Sequence, residues 1–264
     1  MSCKTGLADA RSLIPDSASS NAAGTIRRDT SAIEERFFDD REDMTCVLAR
    51  EITVRLANAI AVKGGASFVA SGGVTPIDLY GRMTSAELDW SKIGVTVSDE
   101  LWVSPTTDGS NEKLIRACLL RNDASRARFC PLKTAHARAR DAELSVHGAI
   151  SAMARPFDVT LLGMGLDGHT ASLHPYADGL AEALDVDDPA LARSIRPRNI
   201  AQAGERISLT LRAILSSRVI VILIQGADKL AALRKAMSND DAMAMPVRAV
   251  LHQNVTPVQI FWAP

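Results

Sequence analysis

Several absences narrow the reading before any motif is found. The 264 residues contain four cysteines, Cys3, Cys46, Cys118 and Cys130. No two of them form a C-x-x-C pair and none stands beside a histidine set, so neither a zinc site nor a disulfide framework is expected, and the thiols read as reduced and mostly buried. No excess of one charge sign exists either. Thirty basic residues against 31 acidic ones give a formal net charge of −1, which excludes the broad basic face of a general nucleic-acid binder and the acidic tail of a solvating one. Long apolar runs are also missing. Met1 to Arg28 has no apolar core of signal-peptide length, and nothing later reaches the roughly 20 residues of a membrane span. The expectation is a cytoplasmic protein without a membrane segment.

What is present suits one α/β domain. A chain of this length buries enough apolar surface to fold without covalent staples. Residues 1–28, rich in Ser, Ala, Gly and Asp, show no sustained periodicity and read as a disordered leader; residues 29–264 read as the domain. Between Asp39 and Ala61, Met44, Val47, Leu48, Ile52, Leu56 and Ile60 recur at helical steps, which predicts an amphipathic helix stopped at Lys63-Gly64-Gly65. Apolar bursts of strand length follow at Ser67–Ala70, Ile93–Val97, Arg128–Cys130, Val159–Gly163, Val219–Gln225 and Val258–Trp262. Helical patterns separate them at Pro76–Met83, Asn111–Arg121, Ala137–Met153, Ile207–Leu215 and Asp228–Met237. Continuous rather than alternating bursts fit strands covered on both faces, and their alternation with helices predicts a mostly parallel, open, Rossmann-like sheet with helices on both sides. Ligands of such sheets bind beyond the carboxyl ends of the strands, so the loops after the bursts are the places to look.

Three of these loops carry candidate chemistry. Ser71-Gly72-Gly73-Val74-Thr75-Pro76 leads from a strand into a helix. Two glycines allow close approach of backbone N–H groups to an anion at a helix start, although a tight turn capped by Thr75 explains the same residues. The loop is neither a Walker sequence nor G-x-G-x-x-G, so no nucleotide is implied. Asp99-Glu100 closes the second strand, with a helix start at Ser110-Asn111; a solvated turn and a helix cap are the structural alternatives there. The third loop runs from Gly163 to Pro175 and sets His169 after Gly168, two residues beyond Asp167 and next to Thr170. An imidazole flanked by a carboxylate and a hydroxyl has what it needs to fix its tautomer and keep one nitrogen free as a base. His174, before Pro175, is read as facing solvent. Arg206, opening the Ile207–Leu215 helical pattern, and Lys229, following Gly226-Ala227-Asp228, supply cations, the latter on the ligand side of a strand.

Taken together, these segments resemble the 6-phosphogluconolactonases, whose fold is shared with the glucosamine-6-phosphate deaminases and ribose-5-phosphate isomerases. The matching pieces are S-G-G-V-T-P-I-D-L-Y from Ser71, D-E-L-W-V from Asp99, S-N at Ser110, F-D-V-T-L-L-G-M-G-L-D-G-H-T-A-S-L-H-P from Phe157, R-I-S-L-T from Arg206 and G-A-D-K from Gly226. The deaminases read differently after the shared G-H step and place a tyrosine where Asn111 stands. Two departures from the lactonase pattern are Leu101, where that family usually has arginine after D-E, and His174, where it most often has phenylalanine.

The resemblance implies hydrolysis of 6-phosphogluconolactone to 6-phosphogluconate in the oxidative pentose phosphate pathway, without metal or cofactor. His169 is the expected base, supported by Asp167 or Asp99. The phosphate and sugar are expected at Ser71, Gly72, Gly73 and Thr75, with Asn111, Arg206 and Lys229, and the oxyanion at backbone N–H groups around Gly165 or Gly168. A small phosphorylated lactone is the expected partner, with no nucleic acid and a monomer or homodimer as the assembly. The competing functions are a related sugar-phosphate deaminase or isomerase and a non-catalytic sugar-phosphate sensor.

Overall fold

The computed structural model describes residues 33–198 and 204–264; the leader and Cys3 lie outside them. The chain opens with strand β1 (Ile33–Phe37) and helix α1 (Arg41–Lys63). The ends of α1 follow from local chemistry. Asp40 accepts a hydrogen bond from the Asp43 amide at its start, and Gly64, at φ +77°, donates back to the Ile60 carbonyl at its end. A left-handed residue there is what glycine supplies cheaply. Met44, Leu48, Ile52 and Leu56 form the buried stripe that the spacing predicts.

Strand β2 (Ala66–Ala70), helix α2 (Ile77–Met83), strands β3 (Ile93–Val97) and β4 (Asp99–Leu101), helix α3 (Asn111–Cys118) and strand β5 (Arg128–Cys130) come next. The second half holds α4 (Ala139–Ser151), β6 (Val159–Leu162), α5 (Leu180–Leu184), β7 (Ala192–Ile195) and β8 (Arg206–Leu209). It closes with α6 (Leu211–Leu215), β9 (Ile220–Gln225), α7 (Ala227–Met237), α8 (Val247–Leu251) and β10 (Val258–Ala263).

Seven strands form one sheet in the order β1-β10-β9-β6-β2-β3-β5, with every pairing parallel. All residues of β2 and β6 are buried. Because successive strand side chains point to opposite faces, burial of every residue means that both faces are covered, which is why these strands read as unbroken apolar runs. From β2 the chain moves outward to β3 and β5, then returns to the other side of β2 to form β6. The loops after β2 and β6 therefore leave neighbouring strand ends in opposite directions and open a crevice between them.

Two expectations need correction. The Ile207–Leu215 stretch is not one helix: Arg206–Leu209 is strand β8, and only Leu211–Leu215 is helical, with Thr210 as the cap between them. β8 sits at the centre of a second, antiparallel sheet, β4-β8-β7. Arg206-Ile207-Ser208-Leu209-Thr210 does alternate polar and apolar residues as a strand does, but the run is too short to outweigh the helical spacing of Ile207, Leu211, Ile214 and Leu215 that follows it. The cysteines also differ from expectation. Cys118 and Cys130 are free but only partly buried, while Cys46 is disulfide-bonded.

Candidate active site

The crevice between the β2 and β6 loops is a pocket of about 480 Å³. Its chemistry starts in the loop after β6. There the Asp167 carboxylate Oδ1 lies 2.6 Å from His169 Nδ1 and also accepts the His169 backbone N–H at 3.1 Å. That hydrogen bond, aided by the imidazole charge, holds the Asp167 carboxyl well below the usual carboxylate range. An ionised carboxylate can only accept, so Nδ1 is the donor in this contact, and in the neutral tautomer that this selects the lone pair lies on Nε2. The histidine ring is about one-third exposed, at the pocket wall.

The loop is folded tightly enough to require glycine at Gly165. A Cβ on Gly165 would stand 2.1 Å from His169 Nδ1 and 2.4 Å from Asp167 Oδ1. Its amide donates to the His169 carbonyl at 2.8 Å, and the Gly168 amide donates to the Gly165 carbonyl at 3.1 Å. These two N–H groups are thus spent on the turn itself, which corrects their expected role as oxyanion donors. Thr170 donates to the Gly163 carbonyl at 2.8 Å and so braces the loop rather than the imidazole.

His174 does not face solvent. It is 6% exposed, its ring centroid lies 4.4 Å from that of His169, and its Nδ1 is buried without a partner. Burial, with the nearby His169 and Arg206 charges, pushes its pKa down to about 4, so the ring stays neutral at ordinary pH.

Of the two candidate supports for His169, Asp167 is in contact and Asp99 is engaged elsewhere. Asp99 accepts from Ser98 Oγ at 2.9 Å and from Ser172 Oγ, and lies 3.7 Å from Arg206 Nη1. Arg206 Nη1 in turn reaches Ser172 Oγ at 3.4 Å. Pairing of β4 with β8 sets Asp99 opposite Ser208 and Leu101 opposite Arg206. The small sheet thereby brings Arg206 to the pocket, where its Nε is buried with no hydrogen-bond partner. Ser172 was missed as a tie between the two. It lies in the same block as His169, but a serine carries no periodic signal that distinguishes this role.

Glu100 serves architecture. It is fully buried and accepts the amides of Asn111 and Glu112, each at 2.7 Å, plus Ser110 Oγ at 3.2 Å. Burial raises its pKa against the opposing pull of those amides. Asn111 is fixed as well, donating through Nδ2 to the Asp99 carbonyl at 2.8 Å, and its side chain fills the space beside Gly72.

On the β2 side, Gly73 adopts φ +84°, and neither the Gly72 nor the Gly73 N–H makes a hydrogen bond among the described residues. Ser71 and Thr75 line the same wall, and Pro76 caps α2 with no help from the Thr75 side chain. Across the pocket Lys229 Nζ donates to the Met164 carbonyl at 2.6 Å, and burial pushes its pKa down. Of the residues expected to act as base, support, or phosphate and sugar ligands, all but Asp167 line the pocket directly, and Asp167 joins through His169; Gly165 and Gly168 are not among the lining residues.

Residues 39–262 match the model of the glucosamine-6-phosphate isomerase/6-phosphogluconolactonase family. The chain belongs to this family. Within it, a 6-phosphogluconolactonase of Rhizobium meliloti is 39% identical over 228 residues, covering 86% of this chain and 97% of the relative. One from Mesorhizobium japonicum is 41% identical over the same length, covering 86% and 94%. Among solved structures, a Shewanella baltica 6-phosphogluconolactonase superposes with a TM-score of 0.85 at 39% identity, covering 89% of this chain and 99% of that one. A monomeric glucosamine-6-phosphate deaminase, at 17% identity and TM-score 0.73, shares the fold. Among the described residues no helix of this family member is long and apolar enough to cross a membrane.

Proposed function

We propose that the chain hydrolyses 6-phosphogluconolactone to 6-phosphogluconate, the lactonase step of the oxidative pentose phosphate pathway, with residues 29–264 as the catalytic unit. The observation that carries the mechanism is the Asp167–His169 pair, 2.6 Å apart at the wall of a pocket with unpaired donors. His169 Nε2 takes a proton from water as the water oxygen attacks the lactone carbonyl. The tetrahedral intermediate then collapses, the bond from C1 to the ring oxygen breaks, and the imidazolium returns its proton to that oxygen. Asp167 stabilises the imidazolium in between.

With the Gly165 and Gly168 amides committed to the turn, we assign the developing oxyanion to Lys229, which borders the catalytic loop through Met164. A cation already fixed at the pocket wall favours that charge without having to reorganise as it develops. The phosphate is assigned to the free amides of Gly72 and Gly73, with Ser71, Thr75 and the unpartnered Arg206 Nε. Asn111 supports Gly72 and Asp99 supports Arg206, so both act on the substrate through neighbours. The deaminase alternative shares the fold, but relatives above 30% identity carry the lactonase name.

The test is the decay of freshly made 6-phosphogluconolactone, corrected for spontaneous hydrolysis. His169→Ala should lower the catalysed rate about 10²- to 10⁴-fold, the range for loss of a positioned base. A wild-type protein that does not accelerate the decay refutes the activity; a variant as fast as wild type refutes the base.

A further inference from the structure

We propose that Asp167, His169 and His174 form a binding site for a divalent cation of the zinc class, and that its occupancy shuts off hydrolysis. One ligand atom from each of the three residues lies within 4.8 Å of the other two. Two imidazoles and one carboxylate are the nitrogen and oxygen donors that zinc takes, three from protein with a fourth position left for water. Magnesium and calcium, which take oxygen ligands, do not fit this set. Zinc bonds of about 2.0–2.1 Å at tetrahedral angles put donors roughly 3.3 Å apart. The widest pair must therefore close by about 1.5 Å at most.

His174 makes the cluster more than a base and its carboxylate. Its imidazole is more than nine-tenths buried beside His169, and its Nδ1 has no partner. The hydrolysis outlined above gives this ring no task. A buried polar atom left unpaired costs free energy, and a metal bond is one way to satisfy it. Arg206 and Lys229 line the same pocket and oppose a dication, so binding is reversible and a chelator removes the metal. The inhibitory half of the proposal rests on His169 being the base; binding itself does not.

The full chain, stripped with EDTA, would be titrated with zinc chloride by calorimetry and by the side-chain ¹⁵N spectrum of its five histidines. One ion per chain is expected, shifting the ring nitrogens of His169 and His174 only. His174→Phe should weaken binding about tenfold or more, whereas the double variant Cys118→Ser/Cys130→Ser should bind like wild type. Lactone turnover should fall along the binding curve and recover with EDTA. No binding at millimolar zinc, shifts confined to other histidines, or undiminished affinity in a folded His174→Phe overturns the site. The wild-type ¹⁵N spectrum decides if that variant does not fold. Zinc seated on the two histidines with turnover intact leaves the metal site standing and overturns His169 as the base.

Discussion

Gly165→Ala tests the link between loop geometry and chemistry without touching a reacting group. Gly165 does not have a positive φ, so alanine meets no backbone penalty there. The obstacle is the added methyl, whose carbon would lie 2.1 Å from His169 Nδ1, 2.3 Å from His169 Cε1 and 2.4 Å from Asp167 Oδ1. Carbon and nitrogen in van der Waals contact need roughly 3.5 Å, so the pair must separate. A hydrogen bond to a charged group contributes about 1.5–3 kcal/mol. If the pair stabilises the imidazolium by that amount in the transition state, its loss lowers kcat about 10- to 150-fold. The assay is lactone decay over a range of substrate, with a thermal melt to establish that the variant folds. Because the methyl acts only through His169, adding it to His169→Ala should cost almost nothing more, a non-additivity expected of groups that work as a unit. A folded Gly165→Ala with wild-type kcat refutes the role of the pair, and a further large loss on the His169→Ala background shows that the methyl acts elsewhere.

Gly72→Ala would push its methyl to 2.0 Å from Asn111 Oδ1, and Asn111 cannot yield without losing its bond to the Asp99 carbonyl. Destabilisation of about 1–3 kcal/mol is expected, largely relieved in Gly72→Ala/Asn111→Ala; urea titration reads both, and an unaltered midpoint for the single variant contradicts the contact. Leu101→Arg should lower the Michaelis constant for the lactone, since Leu101 packs beside Gly109 at the pocket rim; a folded variant with the same constant shows that this position no longer meets substrate. Glu100 has a raised pKa, so folding favours its protonated form. The stability it contributes is full below the ordinary carboxylate value and is lost as pH rises through the folded value. The melting-temperature gap between wild type and Glu100→Gln should accordingly shrink from pH 4 upward, and a gap that widens shows that the Asn111 and Glu112 amides favour the carboxylate instead.

The parallel sheet was readable because β2, β3, β6 and β9 are buried on both sides and so appear as apolar runs of strand length. The small sheet was not. β4 and β7 are three and four residues long, and β8 runs into α6 with a single residue between, so each is too short to show a period. For the site, glycines and a histidine after a strand were enough to find the loop, and the order of segments was enough to group the cations with it. Pairings across the chain were beyond reach. That Asp99 holds Arg206 through Ser172 depends on strand register, and the burial of His174 depends on how its loop packs against the rest of the fold.

Asp167 and His169 are two residues apart, on one turn closed by its own amides. Arg206, by contrast, is delivered by a strand whose partner carries Asp99, more than a hundred residues away in sequence. In the proposed mechanism the reactive half of the pocket is therefore a cassette of a few consecutive residues, while the recognition half is an assembly. A designer could graft the first onto another strand end as a unit. The second can only be retuned in place, so substrate preference can drift by single substitutions along the small sheet while the proton-transfer unit is inherited intact.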